Sequence, residues 1–202
     1  AESVSDRASL IGAANTIVFR EDGGIVADNT DGYGFIESIR AAAPDWDARS
    51  GPALVLGAGG ASRAIVSALL GVGVPEVMIA NRTRQRSEIL ADQFGGRITV
   101  VDWNRASDAA DGTAIIVNTT SLGMTGKSEL PFRLDAAPQT ALVTDIVYTP
   151  LQTQLLKSAA ERGHWTVDGL GMLLYQAVPG FESWFGRKPE VDDALRRAVL
   201  GA

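Results

Sequence analysis

Three groups of residues in this 202-residue chain have types and spacing that could do chemistry. The first is Gly57-Ala58-Gly59-Gly60-Ala61, which ends the apolar run Ala53-Leu54-Val55-Leu56 and leads into the helix-forming Ser62-Arg63-Ala64. Glycines there let the backbone turn sharply and approach a phosphate, while free amides at a helix N-terminus favour an anion. The second is Asn81-Arg82-Thr83-Arg84-Gln85-Arg86, which sets three guanidinium groups and two short polar side chains just after the apolar Val77-Met78-Ile79-Ala80. Guanidinium forks match phosphate oxygens. The third is the polar turn Asn29-Thr30-Asp31-Gly32, where Asp31 stands near a helix start.

The elements that must position the first two groups form one unit. Four apolar residues ahead of the glycines suit a strand covered on both faces, Gly73-Val74-Pro75 breaks the following helix, and residues 77–80 read as the next parallel strand. The result is a βαβ dinucleotide-binding unit. Its match to G-x-G-x-x-G is incomplete, because Gly57 and Gly59 fit while Ser62 takes the third place. An NAD site would carry Asp or Glu at the end of the second strand, so the arginine cluster in that position predicts NADP(H) in preference to NAD(H). The plainer reading is a glycine-rich turn followed by a solvated basic helix start.

Elsewhere, residues 1–10 are weakly patterned and begin without Met. Asn15–Phe19 and Gly24–Asp28 read as two strands joined by Glu21-Asp22-Gly23, and Tyr33, Ile36 and Ile39 give one helix face, with Asp31 as its N-cap on local sequence alone. Residues 41–52 read as a surface connection. A helix then ends at Gly95-Gly96, with strands expected over 98–101, 113–117, 141–148 and 165–167 and an amphipathic helix carrying Leu151, Leu155, Leu156 and Ala159. The strand over 113–117 runs into Asn118–Met124, small polar residues at a strand end, where open α/β sheets bind ligands. From Asp168 onward the pattern is mostly helical: positions 170, 173, 174, 177, 178 and 181 share a face expected to meet the core, and Asp192–Leu200 forms a last helix. Gln176, among them, is either a satisfied polar group or a hydrogen-bonding partner for a polyol.

Composition narrows the function. A net charge of −6 with arginines bunched at 82–86 argues against nucleic acid as a main partner, and the absence of cysteine removes disulfides and thiolate chemistry. No run approaches the ~20 apolar residues of a membrane span and no signal-peptide layout is present, so no membrane partner and a cytoplasmic location are expected. His164, the single histidine, reads as a solvent-facing turn residue. Trp46, Trp103, Trp165 and Trp184 read as packing residues, and no acidic spacing suggests a metal.

Seven segments carry a resemblance to a known family: Gly12–Thr16, Asp28–Gly34, Gly57–Arg63, Asn81–Thr83, Asn118–Met124, Asp145–Pro150 and Asp168–Ala177. In this order, over nearly the whole chain, they resemble shikimate dehydrogenase. The resemblance implies an α/β fold: a Rossmann-like doubly wound, mostly parallel sheet over 31–168, the remnant of a substrate domain over 1–30, and C-terminal helices over 169–202 returning to that domain. It implies NADP-dependent interconversion of 3-dehydroshikimate and shikimate in the pathway to aromatic amino acids. Asn15, Asp31, Tyr148 and Gln176 would contact substrate, with Asp31 beside the reacting hydroxyl. Gly57, Ala58, Gly59, Gly60 and Ala61 would lie under the pyrophosphate, Asn81, Arg82, Thr83 and Arg86 around the 2′-phosphate, and Ile146 and Gly169 beside the nicotinamide.

Family members also carry, upstream of the segment matched by Gly12–Thr16, a half-domain with a carboxylate-gripping serine pair and a proton-handling lysine. Lys127, Lys157 and Lys188 match no part of that motif. A lone aspartate with an ordinary pKa near 3.9 orients a hydroxyl but donates protons poorly. The expectation is that these 202 residues alone bind NADP(H) and turn over little shikimate. Two alternatives remain: an enzyme that also takes quinate, and a non-catalytic nucleotide-binding regulatory module.

Overall fold

The structure, a computed structural model, describes residues 1–201. It opens with β1 (Ser3–Val4), α1 (Asp6–Ile11), and the antiparallel pair β2 (Thr16–Phe19) and β3 (Ile25–Asp28), forming a small sheet of order β1-β3-β2. The hairpin agrees with the two strands expected over 15–19 and 24–28. Helix α1 was not expected from its sequence, and its start is explained by Ser5, whose hydroxyl accepts the Ala8 N–H.

Helix α2 (Asp31–Ala42) follows, with its N-cap at Thr30, which makes no side-chain capping bond. Asp31 is therefore the first helical residue rather than the cap. Its carboxylate is turned to another partner, described below.

Next come β4 (Ala53–Leu56), α3 (Gly60–Gly71), β5 (Val77–Asn81), α4 (Arg84–Phe94), β6 (Ile98–Asp102), β7 (Ile115–Asn118), β8 (Leu142–Asp145), α5 (Gln154–Glu161) and β9 (Thr166–Val167). Their six strands run parallel in the order β6-β5-β4-β7-β8-β9. This is the doubly wound order in which the chain goes outward from β4 to β6, then restarts on the other side of β4. Alternation within single strands fills both faces. Val55, Ile115 and Val117 pack with Ile65, Leu69 and α2's Phe35 and Ile39, while Leu54, Leu56, Ile116 and Val143 pack with Leu155, Leu156 and Leu134.

Helix α6 (Gly169–Phe185) packs along α2, and α7 (Asp193–Leu200) ends the chain. On α6 the buried face is Leu170, Met172, Leu174 and Val178 with Gly171 and Gly180, whereas Ala177 and Phe181, expected inside, are exposed. Crowding against α2 explains the shift: at Gly34 a Cβ would sit 2.7 Å from the Met172 carbonyl oxygen and 2.6 Å from the Gln176 nitrogen. The helix returns to the small sheet, where Trp184 Nε1 donates to the Ile17 carbonyl at 2.9 Å.

His164 corrects its expected place. It is buried, and its Nδ1 lies 3.1 Å from the Ala141 carbonyl oxygen, tying the β9 approach to the start of β8. Trp165 and Trp184 are half exposed, while Trp46 and Trp103 pack against the two core clusters. Among the described residues no helix is long and apolar enough to cross a membrane, and no cluster of His, Cys, Asp or Glu could hold a metal ion.

Candidate functional site

The topological switch lies between β4 and β7, where neighbouring strands lead to opposite sides of the sheet and leave a crevice at their C-terminal ends. Leu56 pairs in register with both Ala80 and Asn118, so the glycine turn, the arginine cluster and the Asn118 loop all leave the sheet at one level. Gly57 has φ +110°, and a Cβ there would stand 2.6 Å from Thr119 Oγ1. Only glycine suits both demands.

Ser62, in the third motif position, is fully buried and acts as a strut. Its Oγ accepts the Gly59 N–H at 3.0 Å and meets Thr119 Oγ1 at 2.6 Å, and Thr119 donates onward to the Leu56 carbonyl at 2.8 Å. The Ala58 N–H donates to Asn81 Oδ1 at 3.2 Å. Two amides of the turn are thus already used, while those of Gly60, Ala61 and Ser62, in the first turn of α3, have no i−4 acceptor within the helix. A Cβ at Gly59 or Gly60 would meet nothing within 4 Å, so backbone is bared to open space here.

The arginine cluster divides. Arg84 is held by Glu88 at 2.9 Å and Asp102 at 2.5 Å. Arg82 and Arg86 form no ion pair among the described residues. Arg86 lines the cavity over Gly59 and Gly60, while Arg82 lines a neighbouring one with Asn81 and Thr120. Asn81 shapes the turn between them, donating to the Thr83 carbonyl at 2.9 Å, and Thr83 is the exposed N-cap of α4.

Beyond Gly12 and Ala13, Asn15 Nδ2 donates to Asp31 Oδ1 at 2.7 Å, while Asn15 Oδ1 accepts the Thr30 N–H at 3.0 Å and the Thr16 and Thr30 hydroxyls, each at 3.0 Å. One amide therefore fixes the β2 entry and the first turn of α2 together. Asp31 is half-buried, and burial raises its carboxyl above the ordinary value, against the opposing hydrogen bonds from Asn15 and Asn29. Gly32 seats this turn on α3, with a Cβ there lying 3.0 Å from the Ala64 carbonyl oxygen. Gln176 is brought against Gly34, one helical turn along α2 from Asp31.

Asp145, which the sequence reading placed in a matching segment without a role of its own, organises the chain at the end of β8. Fully buried, it accepts from Asn118 Nδ2 at 3.0 Å, the Val147 N–H at 3.0 Å and Thr153 Oγ1 at 2.8 Å. Burial raises its carboxyl despite these donors. The Asp145–Val147 bond turns the chain after β8, leaving Tyr148 exposed, and the Ile146 carbonyl lies against Gly169, where a Cβ would collide with that oxygen. Asp145's signal in sequence was weak, because an acidic strand end reads as solvent-facing. Gly34's was stronger: a glycine inside a helix marks a close crossing.

These features match known proteins over the whole chain. Residues 41–146 match the family described as shikimate / quinate 5-dehydrogenase, and residues 169–200 match the shikimate 5′-dehydrogenase C-terminal domain. A shikimate dehydrogenase (NADP(+)) of Ruegeria sp. is 58% identical over 99% of this chain and 72% of its own length. A quinate dehydrogenase from Corynebacterium glutamicum, solved with NAD, superposes with a TM-score of 0.91 at 30% identity, covering 100% of this chain and 72% of that one. A shikimate 5-dehydrogenase from Thermus thermophilus, solved with NADP(H) and shikimate, gives 0.81 at 37% identity over 94% of this chain and 68% of that one. The chain belongs to the shikimate dehydrogenase family.

Proposed function

We infer that this chain works as an NADP-dependent shikimate dehydrogenase, reversibly reducing 3-dehydroshikimate to shikimate in aromatic amino acid biosynthesis. The observation that carries the reading is one cavity lined by Gly59, Gly60 and Arg86 together with Gly12 and Ala13, just ahead of Asn15, whose amide holds Asp31. The residues fit a phosphorylated dinucleotide. Gly60 and Ala61 offer unspent amides at the α3 N-terminus, Arg82 and Arg86 offer unpaired guanidinium groups, and no acidic side chain stands at the end of β5, which closes with Asn81. When bound, the nicotinamide supplies or accepts hydride.

The chain's own residues do the rest. Asp31, oriented by Asn15, accepts a hydrogen bond from the reacting hydroxyl. Tyr148 and Gln176 hold other hydroxyls of the ring, while Ile146 and Gly169 bound the nicotinamide end. We read residues 1–30 and 169–202 as contributors to the substrate side and 31–168 as the dinucleotide side. Lys127, Lys157 and Lys188 are all exposed and none pairs with Asp31, so the 202 residues by themselves should turn over shikimate slowly while binding NADP(H).

The test is a pair of measurements on this polypeptide, NADP+ affinity by titration and shikimate oxidation by steady-state assay. Binding with little turnover is expected; ordinary turnover would refute the proton-donor argument, and no binding would refute the dinucleotide site. Activity on quinate is a second reading, favoured by the quinate dehydrogenase neighbour. Comparing turnover of the two substrates decides between them.

A further inference from the structure

The cavity over the glycine turn, about 450 Å³, joins both walls of the crevice: Gly12 and Ala13 line it from one side, Gly59, Gly60, Arg63 and Arg86 from the other, and no carboxylate lines it. Arg86 already has a place in the reading above. Arg63 does not.

Arg63 stands in the first turn of α3, half-buried, with Nη1 3.5 Å from the Ile11 carbonyl oxygen and equally close to where a Cβ on Gly12 would be. It forms no ion pair among the described residues. Ile11 ends α1, a short helix with no basic residue in its last turn; the Ala8 carbonyl is capped by the Gly12 and Ala13 amides, but those of Leu10 and Ile11 lack backbone donors. The dinucleotide side supplies them: Arg63 reaches Ile11, and Gln93 of α4 donates to the Leu10 carbonyl. From that point the chain runs through the left-handed Gly12 to Asn15, which sets both Thr30 and Asp31.

A guanidinium has five donors in a fixed fork, so one edge can hold a helix carbonyl while the other meets an anion. We propose that Arg63 is a positioning residue that bridges the pyrophosphate of the bound dinucleotide to the end of α1, so that filling the glycine turn fixes the Asn15–Asp31 pair. The proposal rests on the NADP reading above. By linkage, whatever factor NADP+ adds to substrate affinity, substrate adds to NADP+ affinity.

The test combines titration with hydrogen exchange at the Gly12 and Ala13 amides, both of which donate to the Ala8 carbonyl. The probes are NADP+ and adenosine 2′-monophosphate, which lacks the pyrophosphate. In the wild-type chain NADP+ slows exchange at these amides and adenosine 2′-monophosphate does not. Arg63→Met binds NADP+ about tenfold to a hundredfold more weakly, the cost of one charge-assisted hydrogen bond, binds adenosine 2′-monophosphate as before, and shows no slowing at saturation. Arg63→Lys keeps the charge without the fork, and so recovers NADP+ affinity without recovering the slowing.

A purely structural Arg63 would leave both affinities alike. Undiminished NADP+ affinity in Arg63→Met, or full slowing at saturation in either variant, overturns the proposal. Wild-type chain that binds NADP+ without slowing these amides overturns the coupling and leaves the dehydrogenase reading standing. Wild-type chain that does not bind NADP+ overturns both.

Discussion

Asp31 and Asp28 lie three residues apart and are pushed in opposite directions, which makes their roles separable. Burial raises the carboxyl of Asp31, so its protonated form is favoured by folding: that stability is present below the ordinary value of 3.8 and is lost as pH rises through the raised one. Asp31→Asn is therefore expected to be as stable as wild type or slightly more so at neutral pH, by less than about 1 kcal/mol, with the gap closing in acid. Thermal melts across pH check this, and shikimate affinity should fall in the same variant. A clear loss of neutral stability would contradict it. The arginines make the second residue-scale prediction: replacing Arg82 and Arg86 by Ala should weaken NADP+ binding about tenfold or more and leave NAD+ binding unchanged, as read by titration. Equal losses for both coenzymes would remove these side chains from the 2′-phosphate. Sequence showed the basic cluster but not its division, because only the fold brings Asp102 beside Arg84. It also misread His164, whose flanking turn suggests solvent while its ring finds the Ala141 carbonyl across the chain.

At the level of elements, glycines separate fold from function. Gly34 lets α2 touch α6, and a Cβ there would press on backbone at 2.6 and 2.7 Å, so Gly34→Ala should cost on the order of 1–3 kcal/mol in urea unfolding and displace Gln176 from its place against α2. Gly59→Ala has open space and should melt as wild type does, yet weaken NADP+ binding because the methyl enters the dinucleotide cavity. If Gly59→Ala instead melts early, the turn is a structural device. The β4–α3–β5 unit was legible because a four-residue, fully buried strand running into glycines has few other readings. The strand ends were less so. Residues 146–148 continue the apolar pattern of β8, but the Val147 amide turns back to Asp145 and ends the strand at 145. The inward face of α6 was blurred for a similar reason, since contact through Gly34, Gly171 and Gly180 replaces contact through large side chains.

For the molecule as a whole, acid should act first on the small sheet. Arg7 and Ser5 hold Asp28 below the ordinary carboxylate range, so the stability it contributes is present above pH 3.8 and lost as pH falls through its lowered value. Since Arg7 is half exposed, the ion pair is worth about 1 kcal/mol or less, and Asp28→Asn should flatten the acid limb of the melting curve by no more than that. The two sheets are bound to each other through α2, α6 and the donors that reach the end of α1, and the proposed function puts both coenzyme and substrate in the crevice between them. Specificity for the phosphorylated coenzyme is the central claim of the proposed function. Titrating the polypeptide with NADP+ and NAD+ under the same conditions tests it most directly. The account predicts NADP+ binding at least tenfold tighter; equal or tighter binding of NAD+ would contradict it.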